Sequence, residues 1–175
     1  MRNNQDETRK ERLLSELDEE HVQLVFTDFD CRAALKIGMY IVDKAAREHK
    51  GIAVDISFRG QRLFHCATEG ATAENDRWIS RKNNVVNKFG KSSFYISRLL
   101  ESNNQTMEEA YGLDSGDYPA AGGAFPIILR NEGAAGTVSV SGLADDEDHR
   151  LVTEAIRWYL NLKATSKNLI CASFW

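Results

Sequence analysis

Along this chain hydrophobic residues recur with two periods, one close to 3.6 residues and one close to 2, and the switches between them mark out the elements. Residues 7–20 are mostly charged and carry a narrow apolar stripe, Leu13, Leu14 and Leu17, which predicts a helix too lean to stand alone and therefore docked on the domain or on a neighbouring subunit. The alternation in His21-Val22-Gln23-Leu24-Val25-Phe26-Thr27 predicts a strand. Asp30 then stands where an N-cap belongs, ahead of the stripe Ala34, Ile37, Ile41 and Ala45, and Gly51 closes that segment. The small residues Ala33, Ala34, Gly38, Ala45 and Ala46 allow this helix to lie close against a sheet.

Ile52, Val54, Ile56 and Phe58 share one face of a strand, Arg59-Gly60 supplies a turn, and Gln61 to Ala67 forms the return. Thr72 to Phe89 reads as a helix with Trp78, Val85 and Phe89 on one row and Ile79 and Val86 beside it. Ser92 caps a further helix bearing Tyr95, Ile96, Leu99 and Leu100, which ends in Ser102-Asn103-Asn104, and a short helix follows at Met107–Tyr111. Leu113 to Gly123 is irregular and glycine-rich. Two strands come next, Phe125–Arg130 and Ala135–Ser141, and the acidic run Asp145-Asp146-Glu147-Asp148 opens a last helix through Leu151, Val152, Ala155, Ile156, Tyr159 and Leu160. Strands that come in hairpins between helices predict an α/β domain of the α+β kind, with a mainly antiparallel sheet layered against helices. The organisation is a charged helical arm, residues 1–20, on a single domain, residues 21–175.

Composition narrows the function classes. With 175 residues and 42% hydrophobic side chains, the chain fills one core. It has no apolar run of 18 residues, and Met1 to Glu7 resembles neither a signal nor a transit peptide, so the expectation is a cytoplasmic protein without a membrane partner. Cys31, Cys66 and Cys171 are widely spaced and odd in number, which predicts reduced thiols. A net charge of −4 argues against a nucleic-acid partner. Arg77, Arg81, Lys82, Lys88 and Lys91 are a local exception, read either as a solvated helix face or as a site for a carboxylate, a phosphate or an acidic partner.

Nucleotide, phosphate-loop, zincin and nucleophile-elbow signatures are absent, Val140-Ser141-Gly142 being a strand end that leads into a helix. His65 shares a strand face with Leu63 and Ala67 and is a candidate inward imidazole, and His149 sits in the first turns of the last helix. Each is read as a structural hydrogen-bonding residue or, if the two share a cleft, as a ligand of a metal or of haem iron. Lys82 and Asn83 interrupt the apolar rows of their helix, and a buried ammonium must snorkel, pair with a carboxylate or face a ligand. The paired Gly122-Gly123, between Tyr118 and Phe125, form either a tight turn into a strand or a loop that a ligand approaches closely.

Several stretches together carry a family resemblance. They are Asp55-Ile56, Leu63-Phe64-His65, the block Asn75-Asp76-Arg77-Trp78-Ile79-Ser80-Arg81-Lys82-Asn83-Asn84-Val85-Val86, Ser92-Ser93, Gly122-Gly123-Ala124-Phe125-Pro126-Ile127, and Val138-Ser139-Val140-Ser141-Gly142-Leu143-Ala144-Asp145-Asp146-Glu147-Asp148-His149. In this order, over about residues 11–163, they resemble the small uncharacterised cytoplasmic branch of the haem-degrading-domain family, whose wider relatives are the HbpS and GlcG proteins. The resemblance implies a profilin-like, GlcG-like core, a five-stranded mainly antiparallel sheet between helical layers, assembled into dimers or larger rings. It also implies an association with haem. One departure is local: relatives carry His-Gly-Gly before Phe-Pro, and this chain has Ala121 before Gly122-Gly123.

The leading expectation is an oligomeric protein that binds a small anionic molecule between the Trp78–Lys82 helix, the Gly122-Gly123 loop and the start of the last helix. In it, Arg81 and Lys82 meet the anion, Trp78 and Phe125 form apolar walls, and His149 is a polar or metal-binding tip. The alternatives are a haem-binding or haem-degrading enzyme, with His65 or His149 as axial ligand, and a scaffold that acts through its oligomeric surface.

Overall fold

Backbone partners at the element ends explain where each element starts and stops. The computed structural model describes residues 2–172, with side chains placed over 7–165. The first helix, α1 (Arg2–Gln23), leads into a two-residue strand, β1 (Val25–Phe26). Asp30 caps α2 (Cys31–Arg47), its Oδ1 accepting the Ala33 N–H at 2.8 Å. The hairpin of β2 (Ala53–Phe58) and β3 (Gln61–Ala67) turns through Arg59 and Gly60, both at positive φ (50° and 81°), the two-residue geometry that matches strand twist. The Asn75 side chain accepts the Thr72 N–H at 2.7 Å to open α3 (Ala73–Phe89). Ser92 caps α4 (Ser93–Asn103) by accepting the Tyr95 N–H at 3.1 Å, and α5 (Met107–Tyr111) follows. The chain closes with β4 (Ala124–Leu129), β5 (Gly133–Ser141) and α6 (Asp145–Ala172).

The sheet order is β1-β4-β5-β2-β3, antiparallel except where β1 runs parallel to β4. Alternation along the strands gives the two faces opposite characters. Val54 and Ile56 lie opposite Val140 and Val138, and Phe125 also pairs with Val138, so these residues share the face that forms the main core with α2 and α6. Gly38 makes close docking possible there: a Cβ on it would lie 2.4 Å from the Phe64 ring. The other face carries Asp55, Ser57, Thr137, Ser139 and Ser141, and meets α3, where Asn83 accepts a hydrogen bond from the Ser139 hydroxyl. A smaller cluster, Val85, Ile96, Leu100 and Met107, ties α3, α4 and α5 together.

Two expectations are corrected. His21 to Gln23 extend α1 rather than opening a strand, because the Leu24 N–H still reaches the Glu20 carbonyl at 3.0 Å and α1 packs along α4, so the strand shrinks to Val25–Phe26. His65 does not point into the core; it is exposed on the edge strand β3, on the face away from Phe64. Cys31 and Cys66 are free thiols, and the side chain of Cys171 lies outside the described residues. Among the described residues no helix is long and apolar enough to cross a membrane.

Candidate functional site

The residues singled out by sequence separate into three places. At the centre lies Lys82, on the buried row of α3 and only 3% exposed. Its ammonium is 2.9 Å from Asp148 Oδ2 and donates to the Val140 carbonyl at 3.2 Å, while Asp148 Oδ1 accepts the Leu143 N–H at 3.1 Å. Burial drives the Asp148 carboxyl up to about 6 against the opposing pull of Lys82. Gly123 is the floor of this ion pair. Its φ is 117°, and a Cβ there would stand 2.5 Å from the Val140 oxygen and 2.8 Å from the Lys82 nitrogen. Lys82 therefore meets a carboxylate of the chain itself, directly above Gly123.

One residue further along α6, His149 faces the other way, towards α1. The α3-side expectation is thereby divided: Gly122, Phe125 and His149 come together, whereas Trp78 and Arg81 do not join them. Phe125 and the α3 helix lie on opposite faces of the sheet, because Ala124, its neighbour, pairs with the α3-facing Ser139. Trp78 lies under the Arg81 guanidinium at 4.0 Å on the outer part of α3, and Arg81 pairs with Glu74 at 3.2 Å.

Around His149 the surroundings are aromatic. Its ring stacks on Phe94 with centroids 4.8 Å apart and stands 6.2 Å from Phe125, on which His21 also closes at 6.1 Å. Gly122 permits this packing, since a Cβ would come within 2.7 Å of Phe94 and 2.4 Å of the Asp145 carbonyl. The His149 side chain is only 7% exposed; Nε2 donates to Glu20 of α1 at 2.8 Å, and Nδ1 is buried with no hydrogen-bond partner. The second Glu20 oxygen takes Arg157 at 3.2 Å. Burial pushes the Glu20 carboxyl up, but the His149 hydrogen bond and charge, a hydrogen bond to Thr153 and the Arg157 charge outweigh it, leaving the pKa below the ordinary carboxylate value. Beside these groups a cleft of about 360 Å³ opens between α1 and α6, reached by Leu17, Glu20, Phe94, His149, Arg150 and Arg157.

His65 lies elsewhere, its Nδ1 3.7 Å from the buried Asp55 and its Nε2 3.5 Å from Asp76, so carboxylates face both ring nitrogens. Asp55 is also met by Arg62 at 2.5 Å and accepts the Ser57 hydroxyl at 2.9 Å. His65 and His149 thus do not share a cleft, and among the described residues no group of three His, Cys, Asp or Glu is arranged to hold a metal ion. A second cavity, about 530 Å³, lies between α3 and the hairpin ends, lined by Ser57, Asn83, Asn87, Gly136 and Thr137, with Arg59 at its edge paired to Glu132.

A family model described as haem degrading protein HbpS-like matches residues 29–157. The chain belongs to this family. A UPF0303 protein of Edwardsiella ictaluri is 41% identical to this HbpS-like chain over 152 residues, 87% of it and 97% of the relative. The crystal structure of Ybr137w protein superposes with a TM-score of 0.80 at 30% identity, covering 86% of this chain and 89% of that one. A PduOC:heme complex shares the fold at a TM-score of 0.62 and 16% identity, over 74% and 93% of the two chains.

Sequence reasoning had no means of finding Glu20, His21, Phe94 or Arg157. Each is an ordinary helix residue whose partner is more than 50 positions away in the chain.

Proposed function

We propose that this HbpS-like chain is a binding protein for a small anionic molecule, held in the cleft between α1 and α6. The observation that supports this reading is His149. An imidazole nine-tenths buried against Phe94 and Phe125 keeps one nitrogen without a partner and turns the other towards a cleft edged by Arg150 and Arg157. Arg157 supplies charge, His149 a directed N–H, and the Phe94 ring an apolar wall, with Phe125 buried behind His149. In this reading Lys82, Asp148 and Gly123 position His149 from behind, and Gly122 makes room for its aromatic neighbours. Trp78 and Arg81 form a separate surface feature. The neutral lining of the α3 cavity gives an anion fewer partners, its one cation being engaged by Glu132.

Haem is the second reading, favoured by the family description and the haem complex among the fold relatives. As the chain is folded, the two candidate axial ligands, His65 and His149, do not fit that group. Glu20 occupies His149 Nε2, Asp55 and Asp76 face both nitrogens of His65, and Glu16, Glu19 and Glu20 border the cleft where propionates would enter. A volume of about 360 Å³ also lies near the lower end of the usual range for small-molecule pockets. The expectation is a weak, unsaturable hemin spectrum. The remaining features proposed are a cytoplasmic setting and a homo-oligomer, for which the exposed Leu35 and Met39, one turn apart on α2, and the edge strand β3 provide surface.

Calorimetric titration with 2-naphthoate, an apolar carboxylate, tests the main reading. Saturable binding is expected in the parent, weakened at least tenfold by His149→Gln or Arg157→Gln and unchanged by His65→Ala. Equal binding by the His149 and Arg157 variants would remove the site.

A further inference from the structure

Resting on that reading of the α1–α6 cleft, the geometry points to an occupant already present. We infer that Glu20 is the chain's own anion in this site and that α1 is a displaceable cover, lifted by ligands that carry a carboxylate on a flat apolar body. The Glu20 carboxylate holds both donors that the site offers, His149 at 2.8 Å and Arg157 at 3.2 Å. A ligand carboxylate takes the same two contacts, and its apolar body takes the wall of Phe94, which lines the cleft together with Leu17.

The seating of α1 suits a part that lifts. Among the described residues, Leu17 alone of this helix is buried, with Leu13 and Leu14 half-buried. The helix is undercut on both flanks, by the 360 Å³ cleft towards α6 and by a second of about 490 Å³ towards α4, lined by Lys10, Leu13, Arg98 and Glu101. Its polar ties include Asp18 to Lys91 at 2.5 Å and to the Tyr95 hydroxyl at 3.3 Å, Lys10 to the Glu101 carbonyl at 3.3 Å, and the Glu20 contacts themselves, and His21 adds a ring contact with Phe125. The half-exposed pair Asp18–Lys91 contributes little, and Glu20–His149, at 18% and 7% exposure, is the tie that a ligand carboxylate replaces. Immediately after the helix, Leu24 and Phe26 are anchored in the core at 2% and 0% exposure, so α1 can leave without drawing out β1. Two ring nitrogens are left without a partner along this contact, Nδ1 of His21 on α1 itself and Nδ1 of His149 on α6, the mark of an interface that is not fully closed.

A tethered competitor acts at an effective concentration of the order of millimolar. Small carboxylates must outcompete it, so the parent's affinity is masked. Two source classes share the required chemistry, simple aromatic acids and the propionates of a porphyrin, and the experiment separates them.

The full-length parent, Glu20→Gln and the double variant Glu20→Gln/His149→Gln are titrated with 2-naphthoate and, separately, with hemin. Amide hydrogen exchange over residues 10–20 is followed in the parent with and without saturating 2-naphthoate. The expected result is at least tenfold tighter 2-naphthoate binding by Glu20→Gln than by the parent, lost in the double variant, with faster exchange in α1 when the parent is saturated. A saturable hemin band that appears only in Glu20→Gln identifies the porphyrin source; a response to 2-naphthoate alone identifies small aromatic acids. If the parent binds through His149 but Glu20→Gln binds no more tightly and α1 exchange stays constant, the cover is refuted while the site stands. If neither parent nor Glu20→Gln binds either probe, both the site and the cover are refuted.

Discussion

Replacing Lys82 by methionine isolates the least conventional interaction in the fold. Methionine retains the length and apolar stem of the side chain and deletes only the ammonium, so packing on the α3 row changes little. What remains is Asp148, 1% exposed, with one oxygen still receiving the Leu143 N–H and the other deprived of its 2.9 Å partner. Breaking a buried pair by removing one member costs ~3–5 kcal/mol. In a chain of this size each kcal/mol moves the melting temperature by about 2–4 °C, so Lys82→Met should melt about 6–20 °C below the parent at pH 8. The sign with pH follows from Asp148. Its folded pKa, about 6 with Lys82 present, is above its ordinary value of 3.8, so the folded state binds the extra proton and the stability that this proton confers is lost as pH rises through about 6. Without Lys82 the folded value rises further, and the deficit shrinks when the melt is repeated at pH 5. Lys82→Met/Asp148→Asn should recover most of the loss at both pH values, because the amide oxygen still accepts from Leu143. A single variant that melts at or above the parent at pH 8 would refute the whole argument.

Three further outcomes follow from other parts of the structure. Acid should loosen α1 before the rest: burial first, and then the Lys91 charge, hold His21 below its ordinary 6.5, so its contribution is lost as pH falls below about 6.5, and Glu20, held below 4.5, loses its own contribution lower still. Exchange protection of residues 10–20 that fell no faster than that of β5 between pH 7 and pH 4 would contradict this. Gly123→Ala should destabilise by ~1–3 kcal/mol from the φ of 117° alone, with the crowding against Lys82 added, and an unchanged denaturation midpoint would disprove the close approach. Light scattering at micromolar concentration should give a multiple of 19.7 kDa, and a monomer mass would dismiss the proposed assembly.

The elements were legible because each rests on signals within a few residues: Asp30 and Ser92 as caps, Arg59-Gly60 as a turn, Ile52, Val54 and Ile56 as one face of a strand. The strand expected at His21–Thr27 failed for the complementary reason. Its alternation was real, but Glu20 and His21 lie over α6 and Phe125 as the last turn of α1, and those partners sit at residues 125–157, far from the segment in the chain. The same limit divided the site. Helical periodicity identified Lys82 as a charge in an apolar row that must snorkel, pair with a carboxylate or face a ligand, and the structure selects the carboxylate, supplied by Asp148 of the acidic run at the start of α6. Periodicity says nothing about which side of a sheet a neighbouring loop feeds, so Trp78 and Phe125 were placed in one pocket although strand alternation sends Phe125 to the far face. Asp148 and His149 resolve the division. Adjacent on one helix, they point about 100° apart, so one seals the α3 side with Lys82 while the other opens the α1 side to Glu20. A change that shifts the Lys82–Asp148 pair therefore turns the first residue of α6 that a ligand would touch, which couples the buried charge to the cleft through a single turn of helix.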